Sequence, residues 1–371
     1  MKTNGGLSVR LLVCAGGTGG GVYPALAVHN ALASKLPDLD TLWVGGEGGM
    51  EEALVKRQGI PFQSIPAAGL HGVGLVNMPR NLLKLTRGFL AARRILNEFE
   101  PDVLFFTGGY VAIPMALAGR FIPTLLCVPD IEPGMALKSL AGFADVITVT
   151  TEQSQRFFKK RVFETGYPLR PDLALWDRQT AHRHLGISSN LPVLLVFGGS
   201  KGARSINLAV IDHLRELLEK FEIVHLSGEL DWNYVKHNRE QLPMELAVRY
   251  HAQPYLHEMG AALAAADLVI SRAGASTLGE FPLFGLPAIL VPYPHAWRYQ
   301  KVNADYLTQR GAAVILEDQV LELELVNTLN VLMDNPNKLK AMRAAMFELS
   351  HPRAADKIAS ALIELAGEKK P

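Results

Sequence analysis

Three times along the chain a short apolar run gives way to a glycine-rich turn. Val9 to Ala15 leads into Gly16 to Gly21, Val103 to Phe106 into Thr107 to Tyr110, and Val193 to Phe197 into Gly198 to Gly202. Four to eight apolar residues ending in glycine, with helix-forming sequence beyond, read as a buried strand whose turn offers backbone N–H groups at a helix start. The helix dipole favours an anion there. Two such turns fall in the first half and one in the second, the plan of a chain that handles two phosphorylated molecules.

The remaining sequence extends the pattern. Leu11 to Ala15, Thr41 to Gly45, Val103 to Thr107, Thr124 to Val128 and Val146 to Thr150 read as buried strands, separated by helix-length amphipathic stretches such as Ala25 to Lys35 and Asn81 to Phe99. Val193 to Phe197, Ile223 to Ser227, Leu268 to Ser271 and Ala288 to Pro292 repeat the plan. Such alternation specifies parallel α/β sheets. Because 371 residues exceed one ordinary core, the expected architecture is two doubly wound, Rossmann-like domains facing one another across a cleft. Pro168 and Pro171 interrupt the periodicity between them. The predicted domains are therefore 1–166 and 167–350, with a final helix within 351–371 packing back on the first.

Composition removes several classes of function. Thirty-seven Lys and Arg against 36 Asp and Glu give no bulk electrostatic case for nucleic acid as a partner. Cys14 and Cys127 are the only cysteines and both lie in strand-like runs, so buried reduced thiols are expected. The first apolar stretch is too short for a signal peptide and no window approaches the ~20 residues of a membrane span, which predicts a soluble, cytoplasmic chain. The only Asp-x-Asp, Asp38-Leu39-Asp40, precedes a strand instead of following one and reads as a solvated turn. No metal and no cofactor are predicted.

In open α/β sheets ligands bind beyond the carboxyl ends of the strands, where the glycine turns sit. The first turn does not fit G-x-G-x-x-G in any frame, and Lys201 lacks the Walker frame. A stronger signal runs from Asp267 to Glu280. There a strand enters Ser271-Arg272-Ala273-Gly274, and Ala275, Ser276 and Thr277 open a helix whose N–H groups and hydroxyls could hold a diphosphate. Glu280, one turn on, would repel phosphate but could accept both hydroxyls of a ribose; a solvated helix glutamate is the alternative.

With Gly285 to His295, Gln300 and Asn303 added, the chain resembles the GT-B glycosyltransferases of family 28. Gly16 to Gly20 followed by Pro24 and Leu26-Ala27-Val28, then Gly108 to Val111, Gly166 to Arg170, Gly198 to Ala203 with Ser205 to Asn207, and the Glu280 segment occur in the family's order and spacing. The resemblance extends along essentially the whole chain. It implies a UDP-sugar donor site in the second domain, with Leu256 offering backbone to uracil, Ser200, Lys201, Ala275, Ser276 and Thr277 near the diphosphate, Glu280 on ribose, Gln300 on sugar hydroxyls and Arg170 approaching phosphate. It implies an acceptor site in the first domain at Gly17, Thr18, Gly19, Gly20, Gly21, Gly108, Gly109 and Tyr110.

The resemblance further implies inverting, metal-independent transfer of N-acetylglucosamine from its UDP form to a polyprenyl-diphosphate-linked muramyl-peptide in peptidoglycan synthesis. A diacylglycerol glycosyltransferase and a catalytically degenerate nucleotide-sugar binding protein are the alternatives. Departures from the family pattern concentrate in the acceptor half. Gly21 stands where the family has histidine, Cys127-Val128-Pro129-Asp130 where it has His-Glu-Gln-Asn, and Tyr299 beside Gln300 where it has a second amide. Inverting transfer needs a base for the acceptor hydroxyl, and the candidates are Asp130 and, in Gly69-Leu70-His71-Gly72, His71.

From Leu75 to Leu96, leucines, Val76, Met78 and Phe89 alternate with Arg80, Lys84, Arg87, Arg93 and Arg94. On a helix this sets cations beside apolar side chains, a surface suited to anionic lipid or, alternatively, a core helix with a solvated basic face. A lipid-diphosphate acceptor favours peripheral attachment to the inner face of the cytoplasmic membrane.

Overall fold

The computed structural model describes residues 8–16, 19–49, 51–67, 78–295 and 299–367. The chain forms two compact units, Met1–Arg170 with Pro352–Pro371, and Pro171–His351.

The first unit carries seven parallel strands, β1 (Arg10–Cys14), β2 (Asp40–Gly46), β3 (Phe62–Ile65), β4 (Val103–Phe106), β5 (Thr124–Val128), β6 (Val146–Val149) and β7 (Phe163–Glu164), in the order β3-β2-β1-β4-β5-β6-β7. Strand order reverses between β1 and β4, whose ends are level because Cys14 pairs with Phe106. Alternate residues serve the two faces. Leu12, Cys14, Leu104 and Phe106 join one core cluster, while Leu11, Val13, Trp43, Phe105 and Cys127 join the other. A sheet covered on both faces needs strands that are apolar throughout, which is why these read so clearly in the sequence. The helix Ala354–Gly367 inserts Ile358, Ala359, Leu362 and Leu365 into the second cluster, beside Val28 and Leu32 of the helix Gly19–Lys35.

The second unit has six parallel strands, β8 (Val193–Phe197), β9 (Glu222–Leu226), β10 (Tyr250–Gln253), β11 (Leu268–Ser271), β12 (Ala288–Leu290) and β13 (Ala313–Ile315), ordered β10-β9-β8-β11-β12-β13. Its reversal lies between β8 and β11, with Phe197 level with Ser271. Both units are thus doubly wound, as expected.

Four strands escape the sequence reading, β3, β7, β10 and β13, and they are the four sheet edges. An edge is covered less completely, so Gln63, Ser64, His251 and Gln253 interrupt the apolar runs. The first helix begins at Gly19, six residues before the expected Ala25, and runs through Pro24. In this fold the chain turns into helix directly off the glycines, and Pro24, at the sixth helical position, forgoes the N–H bond that the Gly20 carbonyl would otherwise accept. Asp40 opens β2 with its carboxylate 3.8 Å from Arg10 Nε, at the end of the sheet opposite the glycine turns. Cys14 and Cys127 are free thiols, both buried; burial pushes the Cys127 thiol up to about 12.

Candidate functional site

At the reversal of the first sheet the two glycine turns pack against each other. Gly109 (φ +88°) lies so close that a Cβ there would stand 3.0 Å from the Gly16 carbonyl oxygen. Thr107 donates its hydroxyl proton to the Gly21 carbonyl at 2.7 Å and its N–H to the Cys14 carbonyl at 3.3 Å. These bonds join the end of β4 to the opening of the helix Gly19–Lys35. Gly20 and Tyr110 are exposed there, Gly21 is half-buried, and Gly108 takes φ +130°. Behind the turn, Glu51 is 2% exposed and accepts the Gly46 N–H at 2.9 Å. Its carboxylate fits only because Gly16 and Gly49 lack side chains, and Gly45 leaves room for its Cγ and for the Phe62 ring. Gly17, Thr18 and His71 lie outside the described residues.

Asp130 follows β5, the neighbour of β4, on a short pinned segment. Thr150 donates its hydroxyl to the Pro129 carbonyl at 2.7 Å, and Ser154 does the same for Ile131 at 2.8 Å. Buried Glu132 pairs with Lys138 Nζ at 3.4 Å. Asp130, half-buried, therefore stands on a fixed backbone at the same carboxyl end as Thr107 to Tyr110. Arg170 closes the first unit with its guanidinium 5.0 Å from the ring centre of Tyr23.

In the second unit the predicted donor residues follow the carboxyl ends of β8, β10, β11 and β12, whereas Arg170, expected with them, belongs to the first unit. Gly199 (φ +95°) and Gly202 (φ +79°) turn the chain so that Ser200 and Lys201 are exposed. Beyond β11, the segment Arg272 to Ser276 is held from three sides. Arg272 donates to the Val291 carbonyl (3.1 Å), to Asp318 (2.5 Å) and to the Ser205 hydroxyl (2.8 Å), and its guanidinium lies over Tyr293. Arg272 is consequently a brace for the turn and its charge is met by Asp318.

The helix Thr277–Phe284 opens with Thr277 2% exposed and committed internally, since its N–H and its hydroxyl both donate to the Gly274 carbonyl, at 3.1 and 2.7 Å. The Ser276 side chain makes no capping bond, and the N–H groups of Ala275 and Ser276 meet no backbone acceptor among the described residues. Glu280 follows one turn later, half-buried, its N–H on the Ser276 carbonyl at 2.8 Å. Gln300 uses its side-chain oxygen to accept the Tyr293 N–H at 2.9 Å. Asn303 is buried with its amide on the Ala273 carbonyl at 3.2 Å. Leu256 is buried just past β10, next to exposed Tyr255.

Three contributors escape the sequence reading: Thr107, Glu51 and Arg272. Thr107 and Arg272 sit inside motifs that the sequence does display, but their partners, Gly21 and Asp318, are distant in the chain. For Glu51 the signal is the surrounding glycines, Gly45, Gly46 and Gly49, which mark a close approach.

Two doubly wound parallel sheets, each with its glycine turns at the point of reversal, are the pair of Rossmann-like units of a GT-B fold. Residues 11–149 match the glycosyltransferase family 28 N-terminal domain and residues 193–358 the glycosyltransferase family 28 C-terminal domain. The chain belongs to glycosyltransferase family 28. It is 39% identical to a protein of Roseiflexus sp. (strain RS-1) over 95% of this chain and 94% of the relative. It is also 39% identical to one of Desulforudis audaxviator (strain MP104C), over 97% and 99%. Both are named UDP-N-acetylglucosamine–N-acetylmuramyl-(pentapeptide) pyrophosphoryl-undecaprenol N-acetylglucosamine transferase. Among solved structures it is similar to Acinetobacter baumannii MurG, with TM-score 0.76 and 27% identity over 96% of this chain and all of that one.

Proposed function

We propose that the chain transfers N-acetylglucosamine from UDP-N-acetylglucosamine to a polyprenyl-diphosphate-linked muramyl-peptide, with inversion at the anomeric carbon. The observation that carries this is the pairing of an anion-suited helix opening at Ala275 and Ser276 with Glu280 one turn along, in a chain 39% identical to transferases of that name. In this reading the second unit takes the donor and the first takes the acceptor.

Each residue has a chemical task. The N–H groups at Ala275 and Ser276 and the exposed Ser200 and Lys201 hold the diphosphate, whose charge grows as it leaves. Glu280 accepts the two ribose hydroxyls, Leu256 meets uracil through its backbone, and the Gln300 amide donates to sugar hydroxyls. Thr277 contributes by shaping the turn, its donors being spent on Gly274. Arg170, at the end of the first unit, supplies a cation for phosphate. Gly17 to Gly21 with Gly108, Gly109 and Tyr110 receive the acceptor diphosphate.

Asp130 is assigned as the base, with His71 as the second candidate. The base removes the proton of the acceptor hydroxyl as that oxygen bonds to the anomeric carbon from the face opposite UDP. The bond to the diphosphate oxygen breaks with its electron pair, and UDP departs. Metal and cofactor have no part in this scheme.

A lipid-linked acceptor calls for a surface that meets the membrane. No helix among the described residues is long and apolar enough to cross one. The helix Met78–Phe99 leaves Leu83 and Leu90 53% and 60% exposed beside exposed Lys84, Arg87, Arg93 and Arg94. Phe121, 70% exposed, carries Arg120 stacked on its ring at 4.5 Å. Cations beside exposed apolar side chains suit peripheral attachment to anionic lipid on the cytoplasmic side of the membrane.

The test is UDP release and product mass with a lipid-linked muramyl-peptide in vesicles. The expected result is a product heavier by one N-acetylhexosamine, abolished when Asp130→Asn and His71→Ala are combined. Turnover surviving the double substitution removes the base assignment. A wild-type protein that binds UDP-N-acetylglucosamine but transfers to no lipid acceptor is a binding protein and overturns the proposal.

A further inference from the structure

The second unit contains a buried line of polar side chains that no step above uses. Asn207, on the helix Arg204–Asp212, is wholly buried and donates its amide to the Ser227 carbonyl at 2.8 Å and to Asp231 Oδ2 at 2.9 Å. Both donors being engaged, its oxygen faces His225 Nε2, 3.0 Å away. That nitrogen must therefore carry the imidazole proton, and Nδ1 accepts the Tyr250 hydroxyl at 2.7 Å. Burial keeps the ring neutral by driving its pKa down to about 3, so the chain of donors runs one way, from Tyr250 through His225 and Asn207 to Asp231. Asp231 is tied in turn to Arg204 at 2.7 Å.

The line ends beneath the glycine turn after β8. A Cβ on Gly202 would lie 2.0 Å from the Ser227 oxygen that Asn207 holds, and one on Gly228 would lie 2.4 Å from the Gly202 nitrogen. The Lys201–Gly202 peptide thus rests directly on the Ser227–Gly228 peptide. Apolar side chains of similar volume would fill the same space without the desolvation cost of four buried polar side chains, whereas a fully satisfied network fixes one geometry.

We infer that Asn207, His225 and Tyr250 are positioning residues that set the Gly198 to Gly202 turn for the donor diphosphate, acting through the Ser227 carbonyl. This rests on the reading of the second unit as the UDP-sugar site. The three side chains touch no ligand themselves. Their effect is confined to the part of the donor that the turn contacts, so the diphosphate feels their loss and the nucleoside does not.

The test compares calorimetric affinities for UDP and for uridine, which lacks the diphosphate, in the wild type, Asn207→Leu and the milder Tyr250→Phe. The expected result for Asn207→Leu is UDP affinity reduced about tenfold or more with uridine affinity within about twofold of wild type. Tyr250→Phe, which removes one hydroxyl, shifts UDP affinity in the same sense by about two- to threefold, and His225→Gln, able to accept from Tyr250 and donate to Asn207, restores most of the wild-type ratio. Equal weakening of both ligands, or no change in either while the protein stays folded, overturns the inference. Should Asn207→Leu not fold, Tyr250→Phe decides by the same ratio. A wild type that binds UDP no better than uridine defeats the donor reading itself, a result distinct from failure of the variants alone.

Discussion

Thr107 donates a hydroxyl hydrogen bond to the carbonyl of Gly21 across 86 residues of chain, at 2.7 Å, and so couples the turn after β4 to the helix that starts after β1. Thr107→Val keeps the shape and removes the donor. The expected cost is about 1 kcal/mol in urea unfolding, with the KM for the lipid acceptor rising about three- to tenfold and UDP affinity unchanged. An equal shift in both substrates contradicts the separation of sites between the units.

Glu280→Ala removes the carboxylate assigned to ribose. UDP affinity is expected to fall about ten- to a hundredfold, the range for losing bonds to a charged group. Uridine affinity should fall by the same factor, since the ribose is common to both. Calorimetry with the two ligands checks this, and unchanged affinity for UDP removes Glu280 from the site.

Gly202 combines φ +79° with backbone contact at 2.0 Å from any added Cβ. Gly202→Ala is therefore expected to lose roughly 2–4 kcal/mol of stability and nearly all UDP binding. Gly199→Ala is the control: it shares the positive φ but meets nothing within 4 Å, so about 1 kcal/mol is expected, read by thermal or urea denaturation.

His225 ties stability to pH. Its folded pKa, about 3, lies below the ordinary 6.5 because burial disfavours the charged ring. Between those values the unfolded chain binds the proton and the folded one does not, so stability falls as pH drops below about 6.5 and goes on falling toward 3. By pH 5 the loss from this group is roughly 2 kcal/mol. Urea midpoints at pH 7 and pH 5 should separate less in His225→Gln than in wild type.

Both thiols should be inert in the folded protein. Cys14 and Cys127 are buried, and burial raises the pKa of each well above that of an ordinary thiol. A maleimide is expected to label neither until denaturant is added; labelling of the native protein would show that β1 or β5 opens.

What the sequence discloses and what it withholds divide along a physical line. Strands buried on both faces, such as Val103 to Phe106 and Val193 to Phe197, declare themselves by unbroken apolar runs, whereas Tyr250 to Gln253 at an edge alternates and passes for loop. Glycine turns and the Ser276 to Glu280 helix opening are local features and legible as such. The bonds that fix them are not local: Arg272 finds Asp318 46 residues away, and Asn207 finds Ser227 and His225. No spacing rule relates those positions, because the strand order that unites them is set by packing. Thr277 is the reverse case, a residue of the right type in the right place whose donors turn inward to Gly274.

The return of Ala354–Gly367 to the first unit bears on how the protein is made. Residues 171–351 amount to an insertion within that unit, so a ribosome delivers every strand of both sheets before the segment that seals the face carrying Leu11, Val13 and Phe105. Until Ile358 and Leu362 emerge, the part of that face they cover, beside Val28 and Leu32, stays open to water, and a nascent chain stalled near residue 350 is expected to be a client for chaperones or proteases.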